Sequence, residues 1–411
     1  MAMKNHRKRF NAATTALRAQ RGLTLIELMV AMTIGLFIAL GVGLFTVTMS
    51  RQFKTTGSNS AADVNTQVAL SLIDDAGRSA GAGLYNNGMP LCRTLNAWRN
   101  GTTVSDGLVL MPARITDGGS AGASDTIVFT AGRAQGALSS LPVVAAMAGA
   151  NASVVVSGGG VINDGDYALI GVPVDTTVPG AVAVPCTLMQ LTAAPAPQST
   201  VAACGGNAAR CQTLARASGS TGANPSAPSA AFSNPITYGF ATDAGAGVSG
   251  PAVVNRLGSD FRQTAFGVAC NSLVTYNAFT EAANCANALV SDVALMHAQY
   301  GISNSETSDV VVSWVNASGA WANPGAGDAT RVKAIRVVMV TRATDPDSVE
   351  VSAPCTNGAS VANTGPCGFD DAAAPVINVS GLTVAPGKNW RHYRYRTHTA
   401  VIPLRSVIWS M

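Results

Sequence analysis

The longest apolar run in the sequence lies near its start. Residues 28–49 contain no charged side chain, and Glu27 is the only charge between residues 23 and 49. At 1.5 Å rise per residue this run forms a helix of about 33 Å, which spans a hydrocarbon core of about 30 Å. A secretory signal peptide has a shorter apolar core of about 7–15 residues. The pattern therefore predicts a retained membrane helix over residues 23–50.

A helical pattern continues beyond this run, and no proline occurs before Pro90. Glycines between residues 77 and 83 supply stop signals, so we expect residues 51–83 to form the outer half of one long helix. The alternative is a separate soluble helix joined by a hinge at Gly57-Ser58. Four apolar residues at helical spacing predict one face that packs on a globular head: Ala61, Val64, Val68 and Leu72.

From residue 84 onward, short apolar runs alternate with turn residues, which is typical of β-strands. Asn163-Asp164-Gly165-Asp166 predicts a hairpin turn, and residues 193–235, rich in Ala, Pro, Ser and Gly, predict a loop or insertion joining two lobes. The predicted fold class is α+β: a long N-terminal membrane-spanning helix packed on a β-rich globular head over residues 84–411. The predicted strands include 108–111, 126–129, 154–156, 167–170, 310–312, 335–340 and 399–402.

The charges refine this division. Only 12% of the 411 residues are charged, against roughly 25% in typical soluble domains, and the net charge is +4. Six of the 26 cations lie in residues 1–22, which contain no acid. The remaining 389 residues carry 20 cations against 22 acids, so their net charge is about −2. Residues 1–22 are thus a basic leader, and basic residues before the span orient the N-terminus toward the cytoplasm.

Arg21-Gly22-Leu23-Thr24-Leu25-Ile26-Glu27, at the junction of leader and apolar run, resembles the prepilin motif of type IV pilins and type II secretion pseudopilins. The resemblance implies that prepilin peptidase cuts between Gly22 and Leu23 and that Leu23 is then N-methylated. Most members have Phe at that position. A carboxylate at the edge of a membrane helix is a functional candidate. Glu27 lies about one helical turn from the new amine, so we expect it to pair with an N-terminus and set the register of the subunit during assembly.

The C-terminal third extends the resemblance to PilW-type minor pilins, and more loosely to J-type minor pseudopilins. It is carried by Leu289–Gly301 (an L-V-x-x-V…Y-G pattern), Val332–Val337, Tyr395 and Pro403-Leu404-Arg405. It implies a single-pass inner-membrane protein with a periplasmic head that later enters a pilus. The implied partners are other minor pilins, the major pilin, prepilin peptidase, the inner-membrane assembly platform and membrane lipid. The implied role is initiation of pilus assembly, with a possible tip location. A type II secretion pseudopilin and a membrane-anchored periplasmic adhesin or enzyme stay open as alternatives.

All the cysteines follow the membrane helix, where an oxidising periplasm favours disulfides. Proximity suggests three short pairs and leaves Cys92 with Cys186, although eight cysteines allow 105 pairings. No C-x-x-C occurs, which argues against a zinc or redox site. The short pairs would be Cys204–Cys211, Cys270–Cys285 and Cys355–Cys367.

We expect no catalytic residue, metal site or cofactor. His297, His392 and His398 are interpreted as solvated or core-edge residues. The G-x-S-x-G match at 118–122 lacks the strand and helix of a nucleophile elbow, and the G-x-G-x-x-G match at 245–250 lacks a βαβ unit. Residues 391–396 (RHYRYR) are interpreted as a strand with one packed and one solvated face, so nucleic-acid binding is not expected.

Overall fold

A computed structural model describes most of the chain. The Cα positions divide the chain into two units, Met1–Ser58 and Asn59–Met411. The described residues are 24–86, 89–99, 102–119, 122–132, 140–149, 152–158, 162–173, 184–216, 232–233, 252–259 and 261–408.

Within these residues the architecture is α+β, as predicted. The helices are α1 (Leu25–Ser79), α2 (Ala326–Thr330) and α3 (Arg405–Ile408), with 3-10 helices at Ala202–Cys204, Cys285–Asn287, Gly319–Trp321 and Trp390–His392. The strands are β1 (Tyr85–Asn86), β2 (Met89–Pro90), β3 (Thr94–Arg99), β4 (Thr102–Val109), β5 (Ala113–Thr116), β6 (Thr126–Gly132), β7 (Leu141–Pro142), β8 (Val154–Ser157), β9 (Tyr167–Gly171), β10 (Cys186–Gln190), β11 (Ala196–Pro197), β12 (Cys211–Leu214), β13 (Val253–Gly258), β14 (Phe261–Ala269), β15 (Ser272–Asn277), β16 (Ala288–Ser291), β17 (Val293–Ile302), β18 (Ser313–Asn316), β19 (Val332–Arg342), β20 (Cys355–Thr356), β21 (Ala362–Asn363) and β22 (Tyr395–Pro403).

Helix α1 is 55 residues long and continues through Gly57 and Ser58 without the break of the hinged alternative. It ends at Ser79, inside the predicted glycine-rich stretch. Gly81 and Gly83 have φ of +87° and +78°, in the left-handed region that favours glycine. The chain therefore turns sharply there and enters the β-rich part.

The predicted packing face of α1 is wrong. The side chains of Val64, Val68 and Leu72 are 59%, 48% and 39% exposed. The buried face is rotated from it by more than a third of a turn and consists mostly of small residues, which let the helix approach the strands closely. Its members are Thr66, Ala69, Ile73, Gly77 and Ala80.

Two antiparallel sheets share the largest core cluster with this face of α1. One has the strand order β16-β15-β14-β6-β5, and the other has the order β18-β17-β19-β22. The central strands β17 and β19 are buried almost throughout. Ala69 and Ile73 of α1 share the cluster with Phe129 of β6, Tyr300 of β17 and Ile402 of β22.

The β-rich part also contains a six-stranded sheet of order β4-β3-β10-β9-β13-β7, a three-stranded sheet of order β11-β12-β8, and two two-stranded sheets, β1-β2 and β20-β21. Two further sequence predictions need correction here. Residues 310–312 precede β18 and are not a strand. Asn163–Asp166 does form a turn, but it joins no hairpin, because β8 pairs with β12 while β9 pairs with β10 and β13.

The segment 193–235 is also more ordered than predicted. Its described part contains β11, a 3-10 helix and β12, and Phe232 packs against Trp98. Residues 217–231 and 234–235 lie outside the described residues. The predicted division into two lobes is not found, because Asn59–Met411 form one unit.

Candidate assembly site

The first described residues of α1 form a capping box. The Glu27 backbone N–H donates to Thr24 Oγ1 over 3.3 Å, and the Thr24 backbone N–H donates to Glu27 Oε2 over 3.1 Å. The Thr24 hydroxyl also donates to Glu27 Oε2 over 3.0 Å. These reciprocal bonds satisfy two backbone donors that the start of a helix otherwise leaves unpaired. Glu27 therefore has a structural task within its own helix.

The signal for this cap was present in the sequence, since Thr-x-x-Glu before an apolar run is its usual signature. The sequence-based prediction for Glu27 is pairing with an amine, and it does not include the bond to Thr24. Gly22 and Leu23, the expected cleavage and N-methylation positions, lie outside the described residues. Their roles therefore stay predictions.

The segment Leu25–Ser50 of α1 is long and apolar enough to cross a membrane. Its large apolar side chains are exposed, including Leu36, Phe37 and Phe45. Thr33, Thr46 and Thr48 donate their hydroxyl hydrogens to carbonyls three or four residues earlier in the helix. These polar groups are thus satisfied inside the helix, as a lipid or apolar protein environment requires.

The outer part of α1 is held on the β-rich part at both of its ends. Near residue 63, Asp63 accepts a bond from Arg396 of β22 over 2.7 Å, and His398 lies 3.4 Å from the same carboxylate. Near residue 80, the Ser406 hydroxyl donates to the Ala80 carbonyl over 2.5 Å. A side chain at Gly77 would collide with Ile402 and crowd Phe129. These contacts join residues more than 300 positions apart, so no local sequence pattern predicts them.

The opposite face of the four-stranded sheet holds a buried arginine. Arg336 of β19 donates from Nε to Gln299 Oε1 over 2.6 Å and forms a two-pronged pair with Asp371. Its guanidinium carbon lies 4.9 Å from the Trp314 ring centroid and 4.2 Å from that of Phe369. The bond from Arg336 is the main reason why the pKa of Asp371 lies below its usual value. This group ties the segment that follows β19 to the sheet.

The resemblance motif around residues 289–301 has a packing explanation. Tyr300 is fully buried, and its hydroxyl oxygen accepts a bond from the Ile115 backbone N–H over 2.6 Å. Gly301 has no room for a side chain, because a Cβ there would meet the Trp314 ring. This Tyr-Gly pair therefore joins β17 to β5 and packs closely on Trp314 of β18.

Four disulfides cross-link the β-rich part, in the pairing that proximity suggested. The bond between Cys92 and Cys186 links β10 to the start of β3 and spans 94 positions. The others are shorter: Cys204–Cys211, Cys270–Cys285 and Cys355–Cys367.

Other groups that suggested chemistry have structural partners. In the described part of the chain, no three His, Cys, Asp or Glu residues are grouped to hold a metal ion. Buried His297 lies 3.4 Å from Asp125, whose carboxylate also accepts bonds from the Gly118 and Ala298 N–H groups. The glycine-rich residues 117–125 connect β5 to β6, whereas 245–250 lie outside the described residues.

The basic-aromatic segment 391–396 is only partly a strand, because β22 begins at Tyr395. Its arginines are engaged in ion pairs: Arg391 with Glu350, Arg394 with Asp347, and Arg396 with Asp63. Tyr393 is buried, and its hydroxyl accepts a bond from Ala385. The packed tyrosine and the solvated arginines fit the prediction, but a strand over the whole of 391–396 is wrong, because Trp390–His392 form a 3-10 helix.

Comparison with known proteins finds two family matches. Residues 264–406 match the type IV pilus-assembly protein W family, PilW, and residues 17–43 match the prokaryotic N-terminal methylation motif. No curated protein and no solved structure matches the chain significantly.

The methylation motif and the exposed apolar helix define the class of the molecule: it is a membrane-anchored, type IV prepilin-like protein. Residues 264–406 are similar to PilW, and together the two matches support a minor pilin related to the type IV pilus.

Proposed function

We propose that this chain is a minor pilin that initiates assembly of a type IV pilus and stays at or near its tip. The observation that carries the proposal is the exposed apolar segment Leu25–Ser50, capped by Thr24 and Glu27 directly after a prepilin-type cleavage sequence. An apolar surface of this length needs lipid before assembly and other apolar helices afterwards. Such a helix suits a subunit that passes from a membrane into a filament.

The chain first spans the inner membrane once, with the basic leader in the cytoplasm and the β-rich head in the periplasm. Prepilin peptidase cuts after Gly22, and Leu23 is N-methylated. Other minor pilins, the major pilin and the inner-membrane platform are its partners. The PilW match supports a pilus rather than a secretion pseudopilus. The chain itself has a structural role and catalyses no reaction.

Mass spectrometry of the mature N-terminus tests the processing step. We expect a 389-residue chain that begins with methylated Leu23. An N-terminus at Met1, or one after residue 49, would contradict the prepilin assignment.

A deletion strain tests the role in initiation. We expect few or no surface pili without this chain, and normal numbers when it is restored from a plasmid. A chain with Gly22→Asp should be inserted in the membrane but remain unprocessed and fail to restore piliation. Normal piliation in the deletion strain would refute the proposed role.

A further inference from the structure

A groove runs beside the outer part of α1 on the five-stranded sheet. Its floor is formed by residues of β6, β14, β15 and β16, and one wall is formed by Leu72 and Ala76 of α1. Its volume is about 450 Å³. The groove lies entirely within the unit Asn59–Met411.

The strand register shows why this floor is open. Thr264 pairs with Phe129, and Phe266 pairs with Thr275, so these four side chains share one face of the sheet. Gly77 of α1 lies against Phe129 on that face. Helix α1 therefore covers this face at Phe129 of β6, whereas Thr264 of β14, Thr275 of β15 and Leu289 of β16 line the open groove beside it.

The part of the five-stranded sheet beside α1, from β14 to β16, is about as wide as one helix. Neighbouring strands lie about 4.8 Å apart, so two steps from β14 to β16 measure about 10 Å. An α-helix with its side chains has a diameter of about 10–12 Å. A second helix can thus lie beside α1 on the same sheet.

Apolar side chains are exposed in and beside the groove, among polar ones. Leu289 of β16 is 43% exposed on the floor, which also contains Thr264 and Thr275. Val64, Val68 and Leu72 of α1 recur every four residues and stay exposed, which forms a ridge suited to helix packing, and Leu72 reaches the groove. A cluster of exposed apolar side chains marks an interaction site more often than solvent-facing structure.

The groove carries one acid and one base, because Asp75 of α1 and Arg262 of β14 both line it. Asp74, just outside the groove, is paired with Arg78 over 2.6 Å. In this chain the apolar segment of α1 is followed by Arg51 and Lys54, which are the only cations between residues 23 and 77. A neighbouring helix of the same design would present apolar side chains to Leu72 and Leu289 and a cation to Asp75.

We propose that this groove receives the N-terminal helix of a neighbouring prepilin-like subunit, which then lies beside α1 on the five-stranded sheet. The inference rests on the proposed role as a minor pilin and names the surface of the head that contacts the neighbour.

A matched pair of substitutions tests the groove in the full-length chain, expressed in piliated cells. Leu289→Asp places a charge on the floor, and Leu108→Asp is the control, since Leu108 is also 43% exposed and lies in β4 of the six-stranded sheet. We expect incorporation of Leu289→Asp into sheared pili to fall roughly tenfold or more, which corresponds to at least about 1.4 kcal/mol. Leu108→Asp should match the wild type, and both should be cleaved after Gly22 and resist protease equally. Equal incorporation of the two variants would overturn the proposal.

Photo-cross-linking identifies the occupant. A benzoylphenylalanine at position 289 should cross-link to a peptide from the apolar stretch that follows the processed glycine of another prepilin-like subunit, or of a second copy. Cross-links to an extended segment of a partner, to this chain's own residues, or to none at all would refute the helix as occupant. Absence of the wild-type chain from pili would instead refute the proposed function, so the two failures are distinguishable.

Discussion

At the start of α1, one carboxylate has two potential partners. Glu27 already accepts two bonds from Thr24 within its own helix, and the proposed assembly asks it to face a newly made N-terminal amine. The two tasks are compatible, because a carboxylate has about four lone-pair sites and a free amine lies within a turn. They can be separated experimentally, since a capping box accepts Gln as well as Glu.

We predict that Glu27→Ala and Glu27→Gln both insert in the membrane and both fail to enter pili. Gln keeps the hydrogen bonds of the cap but loses the negative charge that pairs with the amine. The measurement is the ratio of each variant in sheared pili to its level in the membrane fraction. If Gln assembles normally and Ala does not, the cap is the important function and the charge-pairing role is wrong.

The buried arginine gives a second prediction at this scale. We expect Asp371→Asn to lower the free energy of unfolding by about 1–3 kcal/mol, because Arg336 then keeps its buried charge without an ionic partner. The folded-state pKa of Asp371 is lowered. The ionised Asp371 therefore contributes fully to the free energy of unfolding above the carboxyl pKa of the unfolded chain, about 3.9. This contribution is lost as the pH falls through the lower pKa of the folded state.

Denaturant unfolding at several pH values checks this expectation. The wild type should lose stability relative to Asp371→Asn on acidification below about pH 4. Asp347→Asn is the control, because its pair with Arg394 is more exposed and should change stability by no more than about 1 kcal/mol. A difference between the wild type and Asp371→Asn that is constant from pH 3 to 7 would contradict the ionic explanation.

The sequence indicated the membrane helix, the leader and Glu27, since these depend on local pattern. It could not indicate the surroundings of Arg336. Within the strand sequence V-K-A-I-R-V-V, an arginine is expected to face solvent. Here it is buried by Trp314, Phe369 and Asp371, which come from segments 22 to 35 positions away and reach it only after folding.

Among the elements, α1 shows how a helical pattern can mislead. Val64, Val68 and Leu72 carry larger apolar side chains than most of the buried face, so hydrophobicity alone favours the wrong side. The buried face is selected by size, since Thr66, Ala69, Gly77 and Ala80 allow the strands to approach closely. The larger side chains remain outside, where the proposed neighbour would contact them.

We predict that Ile73→Ala lowers the free energy of unfolding by about 2–5 kcal/mol, because it empties a fully buried position. Val68→Ala removes an exposed side chain and should change it by about 0.5 kcal/mol or less. Unfolding of the full-length variants by denaturant in detergent measures both. If both substitutions lowered the free energy of unfolding equally, the assignment of the buried face of α1 would be wrong.

For the molecule as a whole, the disulfides differ in the length of chain that they constrain. A disulfide stabilises the folded state mainly by reducing the entropy of the unfolded chain, and more so for a longer loop. On this basis Cys92–Cys186 contributes about 4.7 kcal/mol to the free energy of unfolding, and Cys204–Cys211 contributes about 2.5 kcal/mol. We predict that replacing the first pair by alanines lowers the unfolding temperature more than replacing the second. If the second replacement lowered the unfolding temperature more, local packing and not loop length would determine how much each disulfide stabilises the protein.

The PilW match begins at residue 264, which lies inside β14. The five-stranded sheet therefore combines strands from both sides of this boundary, because β14 pairs with β6 from the preceding region and with β15 from the PilW-like region. Neither side has a complete sheet alone. No local pattern in the sequence reveals such a shared sheet, since it arises from pairing between distant segments.

The contacts of α1 with β22 and Ser406 also bear on how the protein is made. The chain emerges with its N-terminal helix first, while the strand that completes the cover of that helix is almost the last part to arrive. Along the proposed route through the inner membrane, the buried face of α1 lacks Ile402, and the five-stranded sheet lacks three of its strands until residues 261–291 have passed. Apolar surface and strand edges are therefore exposed during that passage, which favours non-native contacts until the C-terminal strand arrives.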